Sequence, residues 1–320
     1  MKKMILILLS MIFFTVSLAA EDVVLVAVKV KIDAYSAKDM KYLGVFADLK
    51  DTLKPTCMTV SKDGKLIVAG SPVSFDSPSV VIKLNKDGSL DKVLFTNDSY
   101  NSPIRTPKSI VELDDGSLVL FDIGSKKIFK ISANGNLEGE FIASDAEKSD
   151  PDRITSIFDY EGDIVVASSD PANKLVEYDQ NGNFVTNLTD GNEYIKKPIH
   201  ISKAGNGYIM IASASVDVGD VKKQISTLIQ LDNDLMFVKK LIADTDIEKK
   251  TLLRPTLAIK NKVSGKYIII DEGRNRGTTK SYDDNLELFS SDGKYEKSLG
   301  TYEDTLLRSI IWFEGSTKKW

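Results

Sequence analysis

Residues 113–122 read LDDGSLVLFD: a turn ending in Gly116, a serine, the apolar run Leu118 to Phe121, and then Asp122. The phrase returns as SKDGKLIVAG (61–70), DYEGDIVVAS (159–168), AGNGYIMIAS (204–213) and KVSGKYIIID (262–271). The turn glycines are Gly64, Gly116, Gly162, Gly207 and Gly265, with Gly315 after RSIIWFE as a sixth, at separations of 52, 46, 45, 58 and 50 residues. Self-similarity at such a period marks a fold built from one repeated unit.

Each glycine is preceded by a second short apolar segment, usually opened by proline: KPTCMTV, TPKSIVEL, RITSIFD, KPIHIS, RPTLAI and LRSIIWF. After it come two more, joined by a further turn, as in VVIKLNKDGSLDKVLF and KLVEYDQNGNFVTNL. Asx-Gly between alternating apolar runs is a strong hairpin signal, so each unit reads as four antiparallel strands, a to d. No segment sustains a 3.6-residue period, which excludes a helical solenoid. Units of this size with four strands each predict an all-β fold, a six-bladed β-propeller of four-stranded antiparallel blades.

The sixth unit supplies only strand a and a short STKKW at its end. Its missing strands are available near the other terminus, in VVLVAVKVKIDAY and KYLGVFADL, so the ring is expected to close by pairing the chain ends, two strands plus two. Closure of this kind removes exposed sheet edges. The stretches GSLVLFDIGSKKIFKISANG and GKYIIIDEGRNRG…LELFSSDG resemble the NHL repeat of the TolB-like six-bladed propellers. The resemblance implies the architecture and leaves the activity open among binding scaffolds, lactonases and a lyase.

The chain opens with two lysines, an uncharged run from Met4 to Leu18, and small residues up to Ala20. That reads as a secretory signal peptide over residues 1–20, with residues 21–320 as a single domain and no membrane span after cleavage. Cys57, the one cysteine, allows no intrachain disulfide and lies too far along to be a lipoprotein's acylated cysteine. The expected location is therefore periplasmic or secreted. A formal charge of −4, from 42 basic and 46 acidic residues, gives no global attraction to nucleic acid.

Strand alternation puts the tight a–b and c–d turns on one face and the b–c and inter-blade connections on the other. All length variation falls on the second face, which is therefore the expected working face. Asp122 and Asp271 close b strands there, but repetition at an equivalent place favours a local turn stop over catalysis. Basic residues recur where the chain approaches strand a: Lys54, Arg105, Arg153, Lys197 and Arg254, with Arg308 slightly inside the last. They are expected to ring the channel mouth, either as an anion site or as partners of acids such as Asp122 and Asp271. Tyr100, Tyr194, Tyr282 and Tyr302 would add flat contact area.

The strand-a pairs just inside the mouth are Thr56-Cys57, Lys108-Ser109, Thr155-Ser156, Ile199-His200, Thr256-Leu257 and Arg308-Ser309. None is acidic or an amide, which argues against a calcium-dependent lactonase, and a single histidine, His200, argues against a zinc-dependent lyase. Cys57 or Ser109 with His200 as base remains a formal nucleophile pair, though a small buried cysteine is the simpler reading. The reading is of an exported, non-catalytic propeller without a cofactor. It would bind a protein or an anionic glycan of the cell envelope through Lys54, Arg105, Arg153, Lys197, His200, Arg254, Arg308 and the tyrosines. The alternative is a lactonase-like hydrolase or lyase.

Overall fold

The computed structural model describes residues 20–74, 79–97, 103–142, 154–169, 173–189, 197–218, 221–242, 252, 254–274, 282–302 and 307–320. The leader up to residue 19, together with Tyr100, Arg153 and Tyr194, lies outside them. Among the described residues there are strands and no helix.

The first three strands are β1 (Glu21–Val28), β2 (Lys31–Ser36) and β3 (Tyr42–Asp48). Blade 1 follows as β4 (Lys54–Val60), β5 (Leu66–Ser71), β6 (Val80–Leu84) and β7 (Leu90–Thr96). Blade 2 is β8 (Pro107–Glu112), β9 (Leu118–Asp122), β10 (Lys127–Ile131) and β11 (Leu137–Glu140). Blade 3 is β12 (Ile154–Tyr160), β13 (Asp163–Ser168), β14 (Lys174–Tyr178) and β15 (Phe184–Asn187). Blade 4 is β16 (Pro198–Lys203), β17 (Tyr208–Val218), β18 (Val221–Leu231) and β19 (Phe237–Ile242). Blade 5 is β20 (Pro255–Lys260), β21 (Tyr267–Arg274), β22 (Tyr282–Phe289) and β23 (Tyr295–Tyr302). The last strand, β24 (Leu307–Ser316), joins the first three in the order β24-β1-β2-β3, which makes blade 6. The fold is a six-bladed β-propeller.

Closure is thus one strand plus three, not two plus two. Lys29 adopts a positive φ of 52°, which lets the chain turn between Val28 and Lys31 and splits VVLVAVKVKIDAY into β1 and β2. Residues 317–320 form no strand but lie across the seam. Thr317 N–H donates to the Lys86 carbonyl (2.9 Å), and the Lys318 ammonium donates to the Phe46 carbonyl (2.7 Å).

Each b strand carries an unbroken run of buried, mostly apolar residues because both faces of each blade are covered. In β9, Leu118 and Leu120 enter the core between blades 1 and 2, while Val119 and Phe121 enter the core between blades 2 and 3. The core is accordingly six wedges, one at each blade interface. A second contact repeats on the tight-turn face. The c–d glycines Gly88, Gly135, Gly182 and Gly293 all have positive φ, and each leaves room only for a backbone carbonyl of the preceding blade: Phe46, Leu94, Phe141 and Leu241 in turn. Blade 4 lacks this glycine, and Leu235 takes the positive-φ position instead, fully buried.

On the other face, two connections read as loops are extensions of strands. Pairing of β17 with β18 runs on to Val218↔Val221, and β21 with β22 to Arg274↔Tyr282. The blade 4 arm therefore projects about 20 Å beyond Ala212 at strand rise.

Candidate functional site

All six inner strands carry a β-bulge at the same place in the repeat, after the first paired position in five blades and after the second in blade 1. The extra residues are Thr56, Lys108, Thr155, Ile199, Thr256 and Arg308. A bulge increases local twist and re-aims side chains. In blades 1 and 3 the threonine hydroxyl donates to a b-strand carbonyl, Ala69 or Ala167, at 3.2 Å. Lys108 and Arg308 are the charged members of this row.

The inner strands enclose a channel of about 680 Å³, whose wall at this end includes Lys108, Ser109, Thr155, Ser156, His200 and Thr256. Lys108, on blade 2, stands across the ring from blade 5. Burial depresses its ammonium pKa, Glu272 opposes that depression, and Arg254 and Arg308 add to it. Arg254 also pairs with Glu272, Nε to Oε2 at 3.4 Å. Three cations thus meet one half-buried acid at the loop-side mouth. His200 is held neutral: burial, then the neighbouring Lys108 charge, lower its pKa to about 3. Its Nδ1 accepts from Ala258 N–H at 3.4 Å, so the proton is assigned to Nε2, which can donate into the channel.

Of the predicted basic residues, Arg254 and Arg308 belong to this cluster. Lys54 and Arg105 are exposed and Lys197 is half-buried, and none of the three contributes to the channel wall. Lys197 N–H donates to Asn173 Oδ1 (2.7 Å). Tyr282 pairs with Arg274 through its backbone. Tyr302 is half-buried at a blade seam with its hydroxyl on that of Tyr35, so it is not a free contact surface. Lys108 is the residue that the sequence reading placed inside the mouth without giving it a role.

Asp122 is a turn stop. Its Oδ1 accepts from the N–H groups of Arg105 (2.9 Å) and Thr106 (2.5 Å), and its Oδ2 from the N–H (2.7 Å) and hydroxyl (3.0 Å) of Ser125. Asp271 accepts from Arg254 N–H at 2.5 Å in the same way. The acids therefore hold the backbone of the neighbouring basic residue.

Asp284 holds the closing strand: its Oδ2 accepts from Leu307 N–H (2.6 Å), and its Oδ1 is buried without a partner. Burial raises its pKa to about 6 despite that hydrogen bond, and Glu272 and Asp271 push it further while Arg308 opposes. The folded protein therefore binds this proton more tightly than the unfolded chain. The stability it contributes is full below about pH 4 and is lost as pH rises through 6. Asp284→Asn keeps an acceptor for Leu307 and removes the charge. Urea titrations should show the variant gaining on the parent between pH 4 and 7, by up to about 3 kcal/mol. An unchanged difference across that range would refute the raised pKa.

Cys57, Ser109 and His200 sit on blades 1, 2 and 4. The Cys57 thiol is buried and its pKa is raised by burial, and the Ser109 hydroxyl oxygen accepts from Ile157 N–H (3.0 Å). No nucleophile and base are brought together there. Among the described residues, no group of three His, Cys, Asp or Glu side chains is placed to hold a metal ion.

No protein-family profile matches the sequence, and no curated protein does. Solved structures do resemble it. A Bacteroides caccae protein of unknown function superposes with a TM-score of 0.54 at 14% identity, covering 92% of this chain and 99% of the other. A functionally unknown Desulfotomaculum acetoxidans protein gives 0.50 at 13%, covering 90% and 99%. Virginiamycin B lyase from Staphylococcus aureus gives 0.48 at 14%, covering 86% and 77%. At such identities the likeness is one of fold. The class is a six-bladed β-propeller, here with cations converging on the loop-side mouth of its channel.

Proposed function

We propose that this protein is an exported binding propeller whose loop-side channel mouth holds an anionic group of a cell-envelope glycan, without catalysing a reaction. The observation that carries the reading is the Lys108 side chain, exposed at the channel mouth within electrostatic reach of Arg254 and Arg308. Cations kept together at a cost in stability fit a site awaiting a carboxylate or sulfate. His200 Nε2–H supplies a neutral donor beside them. The leader sequence would deliver the protein to the compartment where such glycans occur.

Calorimetry with oligogalacturonate tests this. Lys108→Met should weaken binding by tenfold or more, since a charged hydrogen bond contributes about 1.5–3 kcal/mol. The same variant should melt slightly above the parent, because it relieves repulsion from Arg254 and Arg308. Unchanged affinity in Lys108→Met would sink the proposal. A lactonase-like hydrolase or lyase is the second reading, favoured by Asp284, a carboxyl able to gain and lose a proton near neutrality beside the same mouth. Turnover of a sugar lactone that is lost in Asp284→Asn would establish it.

A further inference from the structure

The far end of the channel carries a separate charge pattern, on the face of tight turns. Lys203 and Lys260 end two inner strands, Lys262 lies just past β20, and Lys86 reaches over from the c–d turn of blade 1, above Gly64 and Gly315. All four line the channel, against the two carboxylates Asp159 and Glu314. Like charges around a concave, partly desolvated opening focus their potential into it.

Trp312 forms part of the same wall. The Lys262 ammonium lies 4.2 Å from the centre of its ring, and the half-buried ring meets the channel. Above this end the half-buried side chains of Ile199, Leu257 and Ile311 give the wall an apolar share. The volume of about 680 Å³ lies in the range of small-molecule sites, which are mostly apolar with a few polar groups that fix orientation.

We propose that the channel is entered from the tight-turn face by an amphiphilic carboxylate, its head among the four lysines beside the Trp312 ring, its alkyl or aryl body running up between the inner strands. This site is independent of the loop-side mouth at Lys108. Charge selects the head, and the apolar wall selects the body.

The chain has two tryptophans, so Trp320→Phe leaves Trp312 as the sole reporter. In that background, decanoate should shift Trp312 emission saturably below about 1 mM, and decanol should bind about tenfold more weakly. Adding Lys86→Met and Lys203→Met, which leaves Lys262 on the indole, should reduce decanoate affinity by about tenfold, read by calorimetry, and leave decanol binding unchanged. Lys108→Met should alter neither. Absence of a saturable shift, or equal decanoate affinity with and without the two lysines, overturns the proposal. Loss of decanoate binding in Lys108→Met alone would place the ligand at the other mouth and overturn it equally.

Discussion

Deletion of residues 21–48 should abolish cooperative unfolding. The segment supplies three of the four strands of blade 6 and leaves β24 with no neighbour in its sheet. Within β1, Val23, Val24, Leu25, Val26 and Ala27 are all fully buried, alternately in the wedge against blade 1 and the wedge against blade 5. A buried aliphatic side chain contributes about 1.5–3 kcal/mol. The loss from β1 alone is therefore about as large as the 5–15 kcal/mol that stabilises an ordinary domain. Circular dichroism on heating should show a broad, sloping change without a midpoint. A sharp transition within a few degrees of the parent would mean that the ring does not close through these strands.

Gly293→Ala should be the most damaging single substitution among the turn glycines. Its φ of 85° strains any residue with a Cβ, and the added methyl would also collide with the Leu241 carbonyl of blade 4. Gly205 separates the two effects, since its φ is 71° but nothing lies near a Cβ built there. Gly205→Ala should cost only the backbone strain, about 1 kcal/mol. Gly293→Ala must in addition push two blades apart, which brings the expected loss to about 3–5 kcal/mol. Chemical denaturation of both variants measures the difference. Equal losses would show that blade contact at this turn is slack.

Much of this fold could be read from the chain because its turns are local chemistry. Gly116 and Gly135 adopt positive φ, and the runs after them are apolar because each blade is covered on both sides. Where the reading fell short, the cause was contact between distant residues. One turn at Lys29 decides between one-plus-three and two-plus-two closure, and the residue there is not a glycine. The arm from Ser213 to Ser226 lacks a long apolar run, yet its strands pair to the tip.

The candidate site was legible only in part. Arg254 and Arg308 could be picked out by their recurrence near the start of strand a, whereas Lys108 shares its repeat position with uncharged residues in four of the other five blades. Its place follows from the bulge after Pro107, which the sequence signals only weakly, as the residue following the proline that opens strand a. That signal would have singled out Lys108 but not Arg308, which follows Leu307.

The single closing strand also sets an order of events during synthesis. The hairpin of β1 and β2 is made first, but its other edge pairs with β24, at the far end of the chain. At 5–20 residues per second, tens of seconds pass before that partner exists. Through that interval a strand of valines and leucine offers an open hydrogen-bonding edge and two uncovered faces, the features that invite pairing with another chain. Whatever accompanies the nascent protein must shield this N-terminal hairpin, and a ribosome stalled before residue 307 would hold every finished blade and still lack a closed ring.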